Sequence, residues 1–540
     1  MKKLALILLS LVMVLSVVIV PATAAAPAGV PTPATHSIRD IQAYWWNING
    51  YKWIGYDFLD GTISEANRAP ALGYPTASSV DLATTDATDL QVATLDDLIA
   101  IRNAVNGNNT LAGKTFHQTA NIDLAGLNWT PIGYKTATDT YTFGANYNGW
   151  GYEIQNLTID ANTNDVAGLY TVGLFGYAAN NAKVSWLVVT NPQVMGITYG
   201  DTNTPYRTGA ICGEGGTFAA VCIQGDENSY VKGSVNVGGI VGKCGEVIKR
   251  AQNTNVNVHG LSNWTSVAGI CGFGGWISQC YNGGNITTVS GQSVYGGIGT
   301  TQVSQAEYCI NAGNVTAWCG GAGTAGGIVG TLWGGGYSSN NINYGEISFT
   351  AGSPSEEIGA IYGTLRNPAT TITNLYNYGA CYRSAFPMCE MVGAYTNNAT
   401  EESIDWTTCE DASLANLLDV RYQISDDNSA VRYNVCLDDL AAYDRVVFVI
   451  TAEGYGTAEV EVRNAFTSLY GADAEYTPAS VCGTDVATAF STFTLTDIPA
   501  GTVVTVTAKV LPSDGWSVAN PQYGYAWYYS NSPVTLTVGA

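Results

Sequence analysis

Apolar residues recur along the middle of the chain in a fixed frame, each held between glycines. The phrase AGGIVG (325–330) has close variants in GLFG (173–176), GAICG (209–213) and GGIVG (238–242). The residues that close these phrases lie 28 to 37 positions apart: Gly176, Gly213, Gly242, Gly272, Thr300, Gly330, Gly363 and Thr396. A repeat of about 20 to 50 residues is typical of stacked supersecondary units, so the pattern predicts a solenoid.

The residues between the phrases favour short strands over helices. Val, Ile, Thr, Tyr and Asn dominate, glycine interrupts every segment, and no helical period is sustained. A repeat of about 30 residues predicts a coil of roughly three short strands, each pairing with its equivalent in the next coil at about 4.8 Å. The predicted fold class is all-β, with a right-handed parallel β-solenoid over residues 93–400 and a C-terminal antiparallel β-sandwich.

Equivalent residues of successive coils should stack into ladders, and the repeat predicts two of them. One is apolar and interior: Leu174, Ile211, Ile240, Ile270, Ile298, Ile328 and Ile361. The other consists of side-chain amides that can hydrogen-bond along the stack: Gln224, Asn253, Asn282, Asn311, Asn343 and Asn377. We expect the amides to form a structural ladder in preference to a row of ligand-binding groups.

Cysteines occupy the same frame and show no CxxC metal spacing. The repeat predicts two stacked sets: Cys222, Cys280 and Cys309 beside Ala251, and Cys212 and Cys271 beside Val241. Buried thiols behave as small apolar side chains, so we expect these cysteines to be unbridged.

The segment that precedes the repeats carries a more specific signal. It reads ATLDDLIAIRNAVNGNNTLAGKTFHQTANIDLAGLNWTPIG (93–133), followed by NGWGYEIQNLTID (148–160) and GLFG. This order of motifs resembles the bacterial surface proteins with GLUG-type glycine-rich repeats. The resemblance implies a β-solenoid entered through a short amphipathic helix, an extracellular adhesin-like or matrix role, and repeats that are not themselves catalytic.

The remaining segments define the predicted domain organisation. Residues 1–24 have two lysines, a long apolar run and small residues at the cleavage positions, which is typical of a secretory signal peptide. Residues 25–92 are aromatic and Thr-rich, and we expect a strand pair and a linker that cap the first coil. Residues 401–430 form an acidic capping segment with a short helix at 409–420, and residues 431–540 alternate as in an immunoglobulin-like β-sandwich.

Charge excludes two classes of partner. The chain has 43 acidic residues against 21 basic ones and a formal charge of −22. Such a surface repels nucleic acid and anionic membranes. We therefore expect a secreted, cell-surface-associated protein with no membrane insertion after signal cleavage.

The sequence contains no recognisable catalytic, metal or cofactor site. Glycoside hydrolysis needs two carboxylates about 5 to 10 Å apart, but the acids of the repeats do not fall at the same position of neighbouring coils. His36, His117 and His259 are isolated in the sequence, and no HExxH or P-loop motif occurs. The prediction is a protein that is not an enzyme and has no cofactor.

Aromatic side chains are the candidate ligand-binding groups. The segment YWWNINGYKWIGYDF (44–58) places Trp45, Trp46 and Trp53 close together, where flat indoles can stack on sugar rings. Core or cap packing is the alternative for the same residues.

Three functions follow from these observations. The first is an adhesin-like binding or scaffolding protein whose partners are neutral glycans or surface proteins of host or neighbouring cells. The second is a self-associating structural subunit of a surface layer or extracellular filament. The third is a polysaccharide-active β-helix enzyme.

Overall fold

A computed structural model describes the solenoid and parts of the flanking segments. The described residues are 29–46, 73–198, 204, 206–262, 265–288, 293–319, 323–334, 337–351, 357–383, 386–387, 391–411, 419–424, 430–438, 443–452, 454, 456–463, 486–494, 499, 501–512, 528–529 and 534–537. The predicted signal peptide and Trp53 lie outside them. No helix in these ranges is long and apolar enough to cross a bilayer.

The chain between Asp89 and Asp411 winds into a parallel β-solenoid of about nine turns. One coil visits five sheets, which we number 1 to 5 in chain order. A representative coil contains Val247–Lys249, Gln252–Thr254, Asn257–Gly260, Ser266–Ala268 and a single bridging residue at Cys271. The prediction of three strands per coil is therefore wrong, because the backbone turns after only two to five residues. The predicted right hand of the coil stays a prediction.

The strands of the first two sheets pair in parallel, sheet 1 as far as Gln305–Glu307 and sheet 2 to the end of the solenoid. Sheet 1 contains Asp89–Val92, Thr115–Gln118, Asn146–Asn148, Lys183–Ser185, Thr217–Ala219, Val247–Lys249, Trp276–Ser278 and Gln305–Glu307. Sheet 2 contains Ile122–Asp123, Glu153–Gln155, Val188–Thr190, Cys222–Gln224, Gln252–Thr254, Tyr281–Asn282, Ile310–Asn311, Asn341–Asn343, Leu375–Asn377 and Glu410–Asp411.

The other three sheets complete each coil. Sheet 3 contains Thr158–Asp160, Gln193–Met195, Tyr230–Gly233, Asn257–Gly260, Ile286–Thr288, Val315–Cys319, Ile347–Ala351 and Cys381–Arg383, with Phe386–Pro387 antiparallel at its edge. Sheet 4 contains Thr171–Val172, Arg207–Thr208, Asn236–Gly238, Ser266–Ala268, Val294–Gly296, Thr324–Gly326 and Glu357–Gly359. Sheet 5 contains Phe175–Tyr177, Cys212–Gly215 and Val241–Cys244, then Val329–Leu332, Tyr362–Arg366 and Val392–Thr396, joined by bridges at Cys271 and Gly299.

The corner between sheets 1 and 2 is turned by one left-handed residue in each coil. Their φ values lie between 52° and 61°, and the residues are Trp186, Ala220, Arg250, Gln279, Tyr308, Asn340 and Asn374. Left-handed backbone costs a non-glycine residue about 1 kcal/mol. The corner is therefore imposed by the stacking of neighbouring coils, since most of these side chains do not prefer it.

A helix enters the solenoid, as the resemblance implied. Helix α2 (Leu95–Asn106) begins after Thr94, whose side chain accepts from the Asp97 amide while the Asp97 carboxylate accepts from the Thr94 amide. This capping box satisfies two amide groups of the first turn. The helix buries its apolar side in the core at the first coil through Leu98, Ile101 and Val105.

The apolar ladder lies in the interior. All seven predicted residues are fully buried. The peptide N–H of each isoleucine donates to the carbonyl of its equivalent in the next coil at 2.9 to 3.3 Å, in the order Ile211, Ile240, Ile270, Ile298, Ile328 and Ile361. A backbone ladder and a side-chain ladder therefore run through the same residues.

The amide ladder is continuous from Asn253 to Asn377. Nδ2 of Asn253 donates to Oδ1 of Asn282 at 2.9 Å, and the same bond repeats through Asn311 and Asn343 at 2.8 to 2.9 Å. Each amide also donates to a carbonyl of its own coil: Val256, Gly284, Gly313, Gly345 and Gly379. All five side chains are fully buried.

The prediction that Gln224 starts this ladder is wrong by one residue. Ile223, and not Gln224, pairs with Asn253, while Gln224 pairs with Thr254. The interior position of the earlier coils belongs to apolar side chains, as at Val189. The same shift moves Cys222 out of the predicted cysteine stack and into a small outer cluster with Trp186, Val188 and Ala220.

The glycines of the repeat phrase make room for the amides. A Cβ on Gly297 would overlap the Asn311 side chain and the Gly327 carbonyl, and Gly269 has the same relation to Asn282. Only glycine fits where backbone and side chain approach this closely. The two phrases of the repeat are therefore packed against each other.

A second row of amides, which the sequence did not reveal, runs along the outside where the coil enters sheet 3. Oδ1 of Asn257 accepts from the Asn285 amide at 3.1 Å, Asn285 from the Asn314 amide at 3.0 Å, and Asn314 from the Glu346 amide at 2.9 Å. Asn285 and Asn314 are exposed. Asparagines therefore stack from coil to coil both inside the solenoid and on its outer surface.

The flanking segments differ from the predictions. Residues 38–46 form helix α1 (Ile38–Trp46) where a strand pair was expected. The helix predicted at 409–420 is wrong at both ends, because Glu410–Asp411 and Asp419–Ile424 are strands; residues 412–418 lie outside the described part. Short 3-10 helices occur at Ala77–Ser79, Glu401–Ser403 and Trp406–Thr408.

The C-terminal part contains antiparallel strands. One group is Asp419–Ile424, Ala430–Asp438 and Val486–Thr494. The other is Tyr443–Ala452, Gly456–Arg463, Val503–Pro512, Tyr528–Tyr529 and Val534–Thr537. The strands pair antiparallel, as expected, whereas their packing into a sandwich and its immunoglobulin-like topology stay predictions.

The amide ladder gives a pH-dependent prediction. In Asn311→Asp the ionised carboxylate would face the oxygens of Asn343 and Gly313 with no proton to donate, at a cost of about 3 kcal/mol at neutral pH. Because the folded state prefers the protonated form, the pKa of the new carboxyl lies above its unfolded value. The cost should therefore be small below pH about 4 and should grow as pH rises toward the folded pKa.

Thermal unfolding between pH 4 and pH 8 measures this effect. The matched control is Asn314→Asp on the outer row, which keeps the accepting oxygen in a solvated position and should change stability by less than about 0.5 kcal/mol. Equal, pH-independent losses in the two variants would contradict the buried ladder.

Candidate functional site

Helix α1 lies on the outer side of sheet 2, far along the chain from its own sequence position. Its Ile41 and Trp46 pack with a row of outward side chains from successive coils: Tyr281, Ile310, Ile342, Tyr344 and Tyr378. Trp45 and Tyr376 add a ring contact at 4.7 Å between centroids. We call residues 29–46 the N-terminal strap.

Hydrogen bonds fix the strap at three points. Trp45 Nε1 donates to Tyr344 Oη at 2.6 Å, and Tyr344 Oη donates to the Pro31 carbonyl at 2.7 Å. Trp46 Nε1 donates to the Tyr308 carbonyl at 2.7 Å. Burial raises the pKa of the Tyr344 hydroxyl, so it stays a donor at physiological pH.

The strap contains two of the predicted sugar-stacking residues, Trp45 and Trp46, and packs them against the solenoid. Trp46 is 5% exposed, and an indole buried to that extent has no face open to a ligand. Trp45 is partly buried against Tyr376 and Tyr344. Both residues therefore act in packing, which was the alternative for them.

Four other aromatic side chains of the solenoid are exposed, and one of them, Tyr308, is bonded to the strap through its carbonyl. Trp276, on sheet 1, is 38% exposed. Tyr337, two coils further along the solenoid, is 63% exposed. Tyr308 at the corner to sheet 2 and Trp333 at the end of sheet 5 are also exposed. We call these four residues the aromatic surface.

Coil register places three members of one outer row in order. Trp276 pairs with Gln305. The Gln279 amide donates to the Glu307 carbonyl, and the Tyr308 amide donates in the same way to the Ser339 carbonyl at 3.1 Å. Ser339 is therefore the equivalent of Glu307 in the next coil, and Tyr337, two residues earlier, is the equivalent of Gln305. Trp276 and Tyr337 are thus two coils apart, or about 10 Å, with Gln305 between them.

Gln305 is a buried polar side chain in this row. It is 6% exposed, and its Nε2 has no hydrogen-bond partner among the described residues. A buried amide donor without an acceptor costs about 1 to 3 kcal/mol. The Nε2 atom is itself enclosed by protein, so a ligand on the outside of the coil does not reach it as the side chain stands.

Cations lie over two rings of the aromatic surface. Lys249 Nζ is 5.3 Å from the Trp276 ring centroid, and the Arg366 guanidinium is 5.0 Å from that of Trp333. Both distances are within the range of cation–π attraction. These contacts hold the indoles in position on the outside of the coil.

Five acids in the strands of the solenoid lie directly opposite other residue types and do not pair with one another: Glu153 opposite Val188, Asp160 opposite Met195, Glu214 opposite Lys243, Glu307 opposite Ser278 and Glu357 opposite Thr324. Among the described residues there is also no cluster of three or more metal-ligating side chains.

His117 is paired, and not isolated as the sequence suggested. Its Nε2 lies 2.9 Å from Asp89 Oδ1, and its Nδ1 accepts from Trp150 Nε1 at 3.1 Å. Nε2 must therefore carry the proton of the neutral ring. The bond to His117 is the main cause that lowers the pKa of the Asp89 carboxyl. Both ring nitrogens are in use, so the pair offers no base to a nucleophile.

Comparison with known proteins adds little. No protein-family model and no curated protein matches the chain, so the GLUG resemblance has no independent support. A putative immunoglobulin A1 protease from Bacteroides ovatus is 15% identical over 64% of this chain and 91% of that chain, with a TM-score of 0.34. A structure named IgA1 Protease is 13% identical over 56% of this chain and 21% of that one, with a TM-score of 0.29.

A third solved structure is the tailspike protein gp49 from Acinetobacter baumannii bacteriophage Fri1, a capsular polysaccharide depolymerase. It is 11% identical over 82% of this chain and 88% of that chain, with a TM-score of 0.17. TM-scores of this size are too low to assign a fold or an activity to this chain.

The strap generates a prediction about local stability. Trp46→Ala should remove about 3 kcal/mol of packing and release the strap while the solenoid stays folded. Trypsin cleavage after Arg39 should then become at least about tenfold faster. Tyr44→Ala, on the exposed side of the same helix, is the control and should leave the rate unchanged. Equal rates for Trp46→Ala and the unmodified protein would show that the strap is not held by this indole.

The buried cysteines give a second prediction. Cys280 and Cys309 are fully buried, and burial raises the pKa of the Cys309 thiol well above its ordinary value. Iodoacetamide should therefore modify them only after denaturation, whereas the partly buried Cys409 should react first. Peptide mass spectrometry that found Cys280 and Cys309 bridged, or modified in the native protein, would contradict the arrangement of the core.

Proposed function

We propose that this is a secreted, cell-surface-associated binding protein that holds a neutral glycan on its aromatic surface. The supporting observation is that Trp276 and Tyr337 stand two coils apart in one outer row with their rings exposed. Flat rings can cover the apolar face of a sugar.

The spacing of the row suits an extended ligand. Two rings about 10 Å apart along one outer row leave room for a sugar unit between them. The row lies on the outside of the coil, so the ligand would be a chain lying along the surface. A neutral chain also avoids repulsion from a protein with a charge of −22.

The rest of the chain would present this surface. The predicted signal peptide would direct export, and the C-terminal antiparallel strands would form the immunoglobulin-like module between the solenoid and the cell. The adhesin-like role implied by the GLUG resemblance is part of this proposal. Self-assembly into a layer or filament is the competing function, and sedimentation of the purified protein at micromolar concentration detects it.

Binding to a panel of neutral oligosaccharides, measured by the change in tryptophan fluorescence, tests the proposal. Trp276→Ala and Tyr337→Ala should each weaken binding about tenfold, because each removes one ring of the row. Tyr74→Ala, an exposed aromatic at the other end of the solenoid, is the matched control and should have no effect. Binding should change little with salt, since no charge is involved.

Gln305→Leu, between the two rings, separates binding by the rings from binding by the buried amide. Binding should stay unchanged while the melting temperature stays the same or rises, because the amide does not reach the ligand and an unpartnered buried donor disappears. Failure of every neutral glycan to bind, or an equal loss in Tyr74→Ala, would refute the proposed function.

A further inference from the structure

Three cationic side chains converge on a different part of the solenoid, on the outside of sheets 4 and 5. Lys135 Nζ lies 3.1 Å from Glu214 Oε2, and Lys243 Nζ lies 3.3 Å from Glu214 Oε1. The Arg207 guanidinium is 5.9 Å and Lys243 Nζ is 5.8 Å from the ring centroid of Phe273. We call Lys135, Arg207 and Lys243 the cation cluster.

Coil register builds the cluster from separate parts of the sequence. Tyr177, Glu214 and Lys243 are equivalent residues of three successive coils in sheet 5. Arg207 lies in the neighbouring sheet 4. Lys135 is on a short hairpin, Tyr134–Lys135 with Thr140–Tyr141, and reaches over the Tyr177 ring at 3.6 Å.

The charges within the cluster do not balance. Glu214 places one oxygen on each lysine, so its carboxylate is fully used. Arg207 bonds to neutral oxygens: the Tyr206 carbonyl at 2.9 Å, and the Asn236 amide oxygen at 3.2 Å when that amide is turned toward it. Asp139, on the turn of the hairpin, bonds to Thr136 and Thr138. In the part of the chain that the structure describes, three cations therefore share one carboxylate, on a protein whose overall charge is −22.

Aromatic rings surround these cations. Tyr177 and Phe273 lie directly against them, and two edge-to-face pairs stand nearby, Tyr134 with Tyr141 at 5.0 Å and Tyr170 with Tyr206 at 5.4 Å between centroids. A bare inorganic anion would use the cations alone. A ligand that uses both features has a carboxylate and an apolar face, as an acidic sugar does.

We propose that the cation cluster binds the carboxylate of an acidic sugar, either a uronic acid or a sialic acid. Glu214 spaces the two lysines in the absence of ligand and competes with the ligand for them. The negative charge of the whole protein disfavours long polyanions, so the site takes a short or terminal acidic unit. This site is separate from the aromatic surface and does not rest on the proposed function.

Calorimetry with two probes, a galacturonic acid trimer and sialyllactose, tests the site. At least one should bind, and binding should weaken as salt is raised from low ionic strength. Each probe has an uncharged partner, the methyl-esterified trimer and lactose, to which binding should be lost. If neither acid binds, or if the uncharged partners bind equally well, the proposal is wrong.

Substitutions separate a ligand site from an ion-pair network. Lys243→Ala should weaken binding of the acidic probe about tenfold, because a charge-assisted hydrogen bond is lost. Lys232→Ala is the matched control: its Nζ lies 4.0 Å over Tyr230 on sheet 3, so it also removes a ring-stacked lysine, and binding should stay unchanged.

Glu214→Gln gives the sharpest test. Removing the competing carboxylate should strengthen binding of the acidic probe by roughly threefold or more, even if the melting temperature falls. A purely structural network predicts the lower melting temperature without any gain in affinity. A folded Glu214→Gln protein with unchanged or weaker binding would therefore overturn the proposal, as would equal losses in Lys243→Ala and Lys232→Ala.

Discussion

The hydrogen bond from one buried asparagine to its equivalent in the next coil is the interaction on which this structure depends. Asn282 receives a bond from Asn253 and gives one to Asn311, and each also bonds within its own coil. A slip of one residue would put an apolar or charged side chain in this position and leave buried amides without partners, at about 1 to 3 kcal/mol each. The ladder thus fixes the register of sheet 2 from Asn253 to Asn377, and in those coils the short connections carry that register to the neighbouring sheets.

Fixed register turns the outside of the solenoid into rows of positions about 4.8 Å apart. The interior must repeat, but the exterior can change from coil to coil without disturbing the ladders. Two such rows are Trp276, Gln305 and Tyr337, which runs from sheet 1 into the coil after its last strand, and Tyr177, Glu214 and Lys243 on sheet 5. Both surfaces arise from residues that are about one coil apart in sequence, and this is why a local motif search does not find them.

The interior of this fold was predictable from sequence, and much of the exterior was not. Ile328 and Asn311 could be placed because their surroundings return at every coil. Gln224 was misplaced because the ladder begins only at Asn253, and the earlier coils put Ile223 and Val189 in that position. Trp46 looked like a ligand-binding indole because its partner, the Tyr308 carbonyl, is 262 residues away in the chain. Neither the strap nor the partner of His117 is visible in a local pattern.

Exchange of side-chain amide protons tests the central interaction most directly. Nuclear magnetic resonance of protein labelled at asparagine nitrogen can follow the Nδ2 protons of Asn282, Asn311 and Asn343 in deuterated water. These protons should exchange only through global unfolding, while those of the exposed Asn314 should exchange at the rate of a solvated amide. Exchange of the Asn282 and Asn311 amides as fast as that of Asn314 would contradict it.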